Sequence, residues 1–501
     1  MTDLNLSMFR AYDIRTPSTQ LTDELAERLC NGEAIYFRDS VGTKKVVLAH
    51  DARANGPRYL EIGVAAFRRA GLDVVVVPGV CSTSMFYFAA MKYPDHAGVM
   101  FGASHNPAGD TGQKIVGPNV RPIAEHIGPD GGLDKIVELY QAGEKSTDAT
   151  PGKLTTYDPL EDYVAYSMQL AGVEAGSLHG FSIFHDYLNG AAGREMIHAF
   201  GLAGANLKSL HANPDGSFPL GDPNPVKTNV VREGIEELAS GAYAMANFFD
   251  GDGDRIDFYH GSGTYISSSF AYAAILPYIR ERFSADGLGV YADLKSNPLA
   301  IMQMASTGFK IDVVRNGHSQ IKESIASDSY KVGAVEESAH YYEKFILDGG
   351  EYSAENTLYI SLLGARAFNE HPERIAELLN IQSQTARERE WGYKFSSDEL
   401  RASALDAVKL HFESIGAKSL TRMANGLDLE ATMMRIGIPF EVDVDTHLQS
   451  GWGQVCQRTS QSENGLARWE VCAENAEIAA RAKQDVAQIV KEFGAGEEYQ
   501  G

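Results

Sequence analysis

Short apolar runs alternate with helix-patterned stretches through most of this chain. Residues 46–48, 74–77 and 98–101 have the length and Val-rich or mixed apolar composition of buried strands, and residues 58–69 read as a helix. Strand and helix in alternation predict a mainly parallel sheet. The rhythm returns at 181–184, 191–200 and 242–249, and again at 289–293, 299–305 and 311–314. Three comparable α/β units are therefore expected. The C-terminal part differs: short strands at 426–436, 440–444 and 467–472 and a closing helix over 475–493 predict an α+β arrangement.

Gly/Asp-rich stretches at 128–133 and 142–152 read as surface connections, and His260-Gly261-Ser262-Gly263 as a second break. The charged segment 372–393 reads as a solvated helix leading into a last domain. These signals divide the chain into α/β domains over 1–155, 156–262 and 263–384 and an α+β domain over 385–501. A chain of 501 residues exceeds what one hydrophobic core supports, which agrees with several domains.

Composition narrows the class. An apolar fraction of 44% and a charged fraction of 22% are those of a folded globular protein. The net charge of −23 opposes binding to nucleic acid or to an anionic membrane surface. A small anionic ligand such as a phosphate would need a local supply of Arg, Lys, backbone N–H groups or metal. Cys30, Cys81, Cys456 and Cys472 form no Cys-x-x-Cys pair, which suits neither a disulfide framework nor a zinc cluster and fits a reducing cytosol. The N-terminus lacks a signal-peptide core, and no apolar run reaches the length of a bilayer span, so a cytoplasmic location is expected.

Four polar constellations follow apolar strands. Gly102-Ala103-Ser104-His105-Asn106-Pro107 comes directly after the strand at 98–101, where a parallel sheet places its ligands. Pro107 excludes Asn106 from the helical region, so Ser104 sits on a constrained turn, suited to a nucleophile or phosphoryl carrier but equally to a helix N-cap. Asp250-Gly251-Asp252-Gly253-Asp254-Arg255 can aim three carboxylates at one spot from alternate residues of extended chain. Such an oxygen set selects a hard cation, magnesium before calcium. An EF-hand is excluded, because Arg255 and Gly261 stand where Gly and Glu are required. Glu336-Glu337-Ser338-Ala339-His340 offers carboxylate, hydroxyl and imidazole for vicinal sugar hydroxyls, and Arg458 to Gly465, with Arg468 beyond, offers a guanidinium and hydroxyls for a phosphate. Taken singly, either of the last two could be a polar turn.

In this order the four motifs resemble the α-D-phosphohexomutase superfamily, most closely its bacterial phosphomannomutase/phosphoglucomutase branch. Phe9-Arg10-Ala11-Tyr12-Asp13-Ile14-Arg15 is similar to the family's opening motif, Ser104 to Pro107 to its phosphoserine loop, and Asp250 to Arg255 to its metal loop. Glu336 to His340 is similar to its sugar loop and Arg458 to Asn464 to its phosphate loop. Lys114, Asp293-Leu294-Lys295 and Gly317-His318-Ser319-Gln320-Ile321-Lys322 agree with further family positions. Val335 and Ala339 stand where relatives usually have glycine, Thr16 where the opening motif ends in glycine, Asn464 where proline is common, and Gly102 in place of a threonine.

The resemblance implies four domains around a central cleft, three α/β and one α+β. It implies a phosphohexomutase that interconverts hexose 1- and 6-phosphates of mannose or glucose through phosphorylated Ser104 and a 1,6-bisphosphate. One Mg²⁺ per chain would be held by Ser104, Asp250, Asp252 and Asp254, with glucose or mannose 1,6-bisphosphate as activator. His105, Lys114 and Arg255 would neutralise the moving group, Lys114 or His318 would act as general base, and Lys295, Tyr12 and Arg15 would complete the polar wall. Glu336, Ser338 and His340 would read the sugar, and Arg458, Ser460 and Ser462 would hold its phosphate. The expected partner is a small hexose phosphate, with no nucleic acid or membrane. Oligomeric state and preferred hexose are left open. A phosphoglucosamine mutase, a metal-dependent sugar phosphatase and a non-catalytic sugar-phosphate-binding protein are the alternatives.

Overall fold

The computed structural model describes residues 4–460 and 465–500. The chain is α/β, with four sheets and helices started by local chemistry: Thr22, Ser82, Asn297, Ser397 and Asn475 each accept a backbone N–H at a helix N-terminus. Two compact units form, one from Met1–Tyr265, Gly317–Ser329 and His340–Glu370, the other from Ile266–Asn316, Tyr330–Ala339 and His371–Gly501.

In the first unit, the strands run in the order Ile14–Pro17, Asp110–Gly117, Ala97–Phe101, Lys45–His50, Asp73–Val80 and Leu154–Thr156, with Arg121–Ile123 beside Asp110–Gly117. The last four of the main order are mutually parallel. Leu29, Phe37, Val46, Leu48, Phe67 and Val99 are fully buried in one cluster against this sheet, each worth roughly 1.5–3 kcal/mol as an upper estimate. A second sheet pairs Met245–Phe249 in parallel with Ser182–Asp186, itself parallel to Asn206–Leu210, and antiparallel with Ile256–His260. His340–Leu347 and Gly350–Glu355 form an antiparallel hairpin.

In the second unit, Gly289–Asp293 lies between Lys310–Val314 and Lys331–Glu336, all parallel. A separate antiparallel sheet runs Lys418–Arg422, Asp428–Ile436, Gly453–Thr459, Leu466–Ala473, Ala386–Lys394 and Glu498–Gln500. Its core is Trp391, Trp469, Val408, Phe412 and Val486, contributed by the sheet and by the helices Asp398–Ser414 and Ala476–Lys491.

Two sequence expectations are corrected. The charged stretch expected to be one solvated helix is a helix only over Pro372–Ser383; Ala386–Lys394 is a strand. Its charges are half-buried because they find partners: Arg387 pairs with Glu337 and Glu470, and Glu390 with Arg458 and Arg468. Residues 440–444 form no strand, and the buried Arg435 instead takes the carbonyls of Pro439 and Phe440. The four cysteines are free and buried, and among the described residues no helix is long and apolar enough to cross a membrane.

Candidate active site

Strand ends assemble the first unit's polar cluster. Ala97–Phe101 delivers the Ser104 turn, Lys45–His50 delivers Asp51 and Arg53, and Asp73–Val80 leads to Thr83. These lie at the carboxyl ends of parallel strands, where open α/β sheets bind ligands. Arg53 donates to the carbonyls of Ser104, Asn106, Pro107 and Asp110, while Asp51 accepts from the backbone of Ala103. So held, Ser104 takes a φ of +49°, a left-handed conformation unfavourable for a side-chain-bearing residue. Its hydroxyl is buried and donates to Asp250 Oδ2 at 2.8 Å, with His105 Nδ1 at 3.3 Å.

The aspartate loop begins where Met245–Phe249 ends. It is a turn, with Gly253 at φ +70°, rather than the extended chain expected. Asp250, Asp252 and Asp254 nevertheless each place an oxygen within 4.8 Å of the others, all buried. Glycine is needed at 251, where a Cβ would lie 2.7 Å from the Ser104 carbonyl. Burial, then Asp252 and Asp254, pushes the Asp250 carboxyl well above the usual range. An all-oxygen set under that repulsion, with Asp252 Oδ1 unpartnered among the described residues, fits a hard divalent cation.

The surrounding cations compensate. Lys114 bonds Asp252 Oδ2 at 2.6 Å and also Asp254. Burial opposes its charge, but these carboxylates outweigh it and raise its pKa above the lysine range. Arg255 lies 3.6 Å from Asp250 Oδ2 and donates Nε–H to His340 Nε2 at 3.1 Å. Arg15 bonds Asp13 at 2.7 Å and the Asn106 side chain at 2.7 Å, which ties the opening motif to the Ser104 turn. Tyr12 meets His318 edge to face, its ring centroid 5.1 Å away. Burial first, then Lys322, lowers the His318 pKa to about 4. Its Nδ1 is 3.3 Å from Ser319 Oγ, and Nε2 has no hydrogen-bond partner among the described residues.

The second unit gathers another set at its parallel strand ends. Lys295, buried, is 3.3 Å from Asp293. Asn316 donates to both Asp293 and Glu336, and Ser338 is partly exposed on the turn between Glu336 and Ala339. Ala339 has a φ of +72°, a left-handed conformation that suits glycine better than alanine. In the antiparallel sheet, Arg458 bonds Glu390 at 2.8 Å and Ser460 is buried. Ser462 lies outside the described residues.

Sequence reading passed over Thr83, whose hydroxyl donates to Asp252 Oδ2 at 2.7 Å, and the pair Asp51 and Arg53. The Asp-x-Arg following a parallel strand was a usable signal for the pair. Thr83 gave none, because its contact spans 169 residues of sequence.

Residues 6–142 match the family profile described as phosphoglucomutase/phosphomannomutase, alpha/beta/alpha domain I, and residues 161–263 match domain II of the same description. The chain is 26% identical over 385 residues to the phosphohexose mutases of Xanthomonas campestris pv. campestris (strain B100), covering 76% of this chain and 81% of the relative. It is 27% identical over 351 residues to the phosphomannomutase of Salmonella montevideo, covering 68% and 74%. Among solved structures, a phosphoglucomutase/phosphomannomutase family protein from Burkholderia thailandensis shares the fold with a TM-score of 0.78 at 22% identity, covering 99% of each chain.

Proposed function

We propose, from the chain's membership of the phosphoglucomutase/phosphomannomutase family and hence a phosphohexomutase-type reaction, that it interconverts the 1- and 6-phosphates of mannose or glucose through a phosphorylated Ser104. The observation that carries this reading is the Ser104 turn: a buried hydroxyl in a left-handed backbone conformation, 2.8 Å from a carboxylate of a three-aspartate cluster.

In the forward direction, O6 of a hexose 1-phosphate attacks the phosphorus on Ser104. The bond from phosphorus to Ser104 Oγ breaks, and the hydroxyl proton leaves. The resulting 1,6-bisphosphate turns end for end and returns its O1 phosphoryl to Ser104. Asp250, Asp252, Asp254 and Ser104 would hold Mg²⁺, which supplies Lewis-acid charge stabilisation when bound. His105, Lys114 and Arg255 neutralise the phosphoryl oxygens, since this transfer depends mainly on positioning and charge. Of the two proton acceptors considered, His318 is the better supported. Ser319 Oγ donates to the Tyr12 carbonyl at 3.2 Å, so it accepts from His318 Nδ1–H and leaves Nε2 with a lone pair. Lys114 is an ammonium between two carboxylates. Tyr12, Arg15 and Lys295 bind the substrate's polar groups, Glu336, Ser338 and His340 read its hydroxyls, and Arg458, Ser460 and Ser462 take the phosphate not being transferred.

The test is ³¹P NMR of the protein with Mg²⁺, catalytic glucose 1,6-bisphosphate and either mannose 1-phosphate or glucose 1-phosphate. A growing 6-phosphate resonance is expected. Release of inorganic phosphate would establish a phosphatase instead, and no change with either sugar would overturn the assigned substrates.

A further inference from the structure

His340 Nδ1, Asp254 Oδ1 and Glu355 Oε1 face one another in the first unit, on residues no more than 4% exposed, and none has a hydrogen-bond partner among the described residues. Nδ1 lies 3.8 Å from Asp254 Oδ1 and 3.9 Å from Glu355 Oε1, too far for a direct bond. The other ring nitrogen is committed. Arg255 Nε can only donate, so His340 Nε2 accepts from it at 3.1 Å, and a neutral imidazole must carry its proton on Nδ1. A cation ligated by Nδ1 is therefore excluded, because both ring nitrogens would have to be deprotonated.

What remains is one donor and two acceptors around a common point. A single water satisfies that inventory, accepting from Nδ1–H and donating to the two carboxylates. Glu355 is fixed from behind: its Oε2 accepts from the buried Lys322 at 3.0 Å, and Lys322 also donates to Tyr87 Oη at 2.7 Å and lies over that ring. We propose that Glu355 is a positioning residue for the phosphoryl-transfer centre, holding the His340 proton on Nδ1 through one bridging water so that Nε2 receives Arg255 and keeps that guanidinium beside Asp250. The kinetic consequence rests on the mutase reading; the tautomer does not.

Glu355→Gln tests it with little change of shape. Lys322 demands an oxygen, so the amide turns its NH₂ toward the water. The water then meets two donors, Nδ1–H and the amide, and keeps Asp254 as its one acceptor, so the Nδ1–H form loses the full support of the water while Arg255 still favours a lone pair on Nε2. The Nε2–H form, opposed to the Arg255 N–H, is no longer excluded. Long-range ¹H–¹⁵N spectra of the Mg²⁺-loaded protein, with the resonance assigned by its loss in His340→Gln, should show Nδ1 alone protonated in the native enzyme and a mixture of both tautomers in Glu355→Gln. Turnover should fall by ~10–100-fold with KM changed less than about twofold, while Glu355→Asp should retain the native tautomer. A native His340 protonated at Nε2 overturns the proposal, whether or not the variant folds. So does a folded Glu355→Gln with the native tautomer and turnover. The native tautomer in a protein that fails the ³¹P test would support the water-linked triad and refute the mutase reading alone.

Discussion

Arg458 stands directly opposite Arg468 in the antiparallel pairing of Gly453–Thr459 with Leu466–Ala473, and Glu390 bridges the two guanidinium groups. Like charges in register destabilise a sheet. Glu390 lies where the strand Ala386–Lys394 bulges, between Glu388 and Trp391. Both arginines hold the Glu390 carboxyl well below its usual range against the effect of burial.

Glu390 occupies the arginines as a phosphate would. Glu390→Gln should therefore tighten inorganic phosphate binding while lowering stability by about 1–3 kcal/mol, less than for a fully buried pair because Glu390 is partly exposed. Isothermal titration and thermal unfolding measure the two; weaker phosphate binding in a folded variant would refute the competition.

Ser104→Ala should lower mutase turnover by at least ~10³-fold. Circular dichroism and melting temperature should stay close to native, since the turn is held through backbone carbonyls rather than the hydroxyl. Near-native activity would remove Ser104 from the reaction.

Thr83→Val deletes the hydroxyl that donates to Asp252 and leaves the shape of the side chain. Mg²⁺ affinity should drop ~10–100-fold, read by metal titration of the apoprotein. An unchanged affinity would show that Asp252 is oriented by Lys114 alone.

Glu33 is fully buried beside Cys30, and burial raises its pKa to about 8 from 4.5. The folded state thus keeps a proton that the unfolded chain has lost between those values. Stability should fall as pH rises from about 4.5 to 8 and then level off, a loss of about 3 kcal/mol by pH 7 at ~1.4 kcal/mol per unit. Glu33→Gln should lack that slope, so chemical unfolding at pH 5 and pH 8 will separate the two proteins.

The parallel strands and the polar motifs behind them were legible because each is written locally: an apolar run, then Ser104, Asp250, Lys295 or Glu336 within a few residues. Arg387 to Glu390 misled because their charges satisfy helical composition, and only the partners Glu337, Glu470, Arg458 and Arg468, distant in sequence, make a strand of them. Glu355 and Tyr87 were silent for the same reason. A buried ion pair is visible only once the fold has brought its halves together.

Arg53 grips oxygens that every amino acid supplies, those of residues 104, 106, 107 and 110. The grip is thus indifferent to which side chain the turn presents. The socket and the proposed phosphoryl carrier seated in it are separable parts, so position 104 can be exchanged for cysteine or aspartate, or for a non-hydrolysable phosphoserine analogue, without rebuilding the socket beneath it.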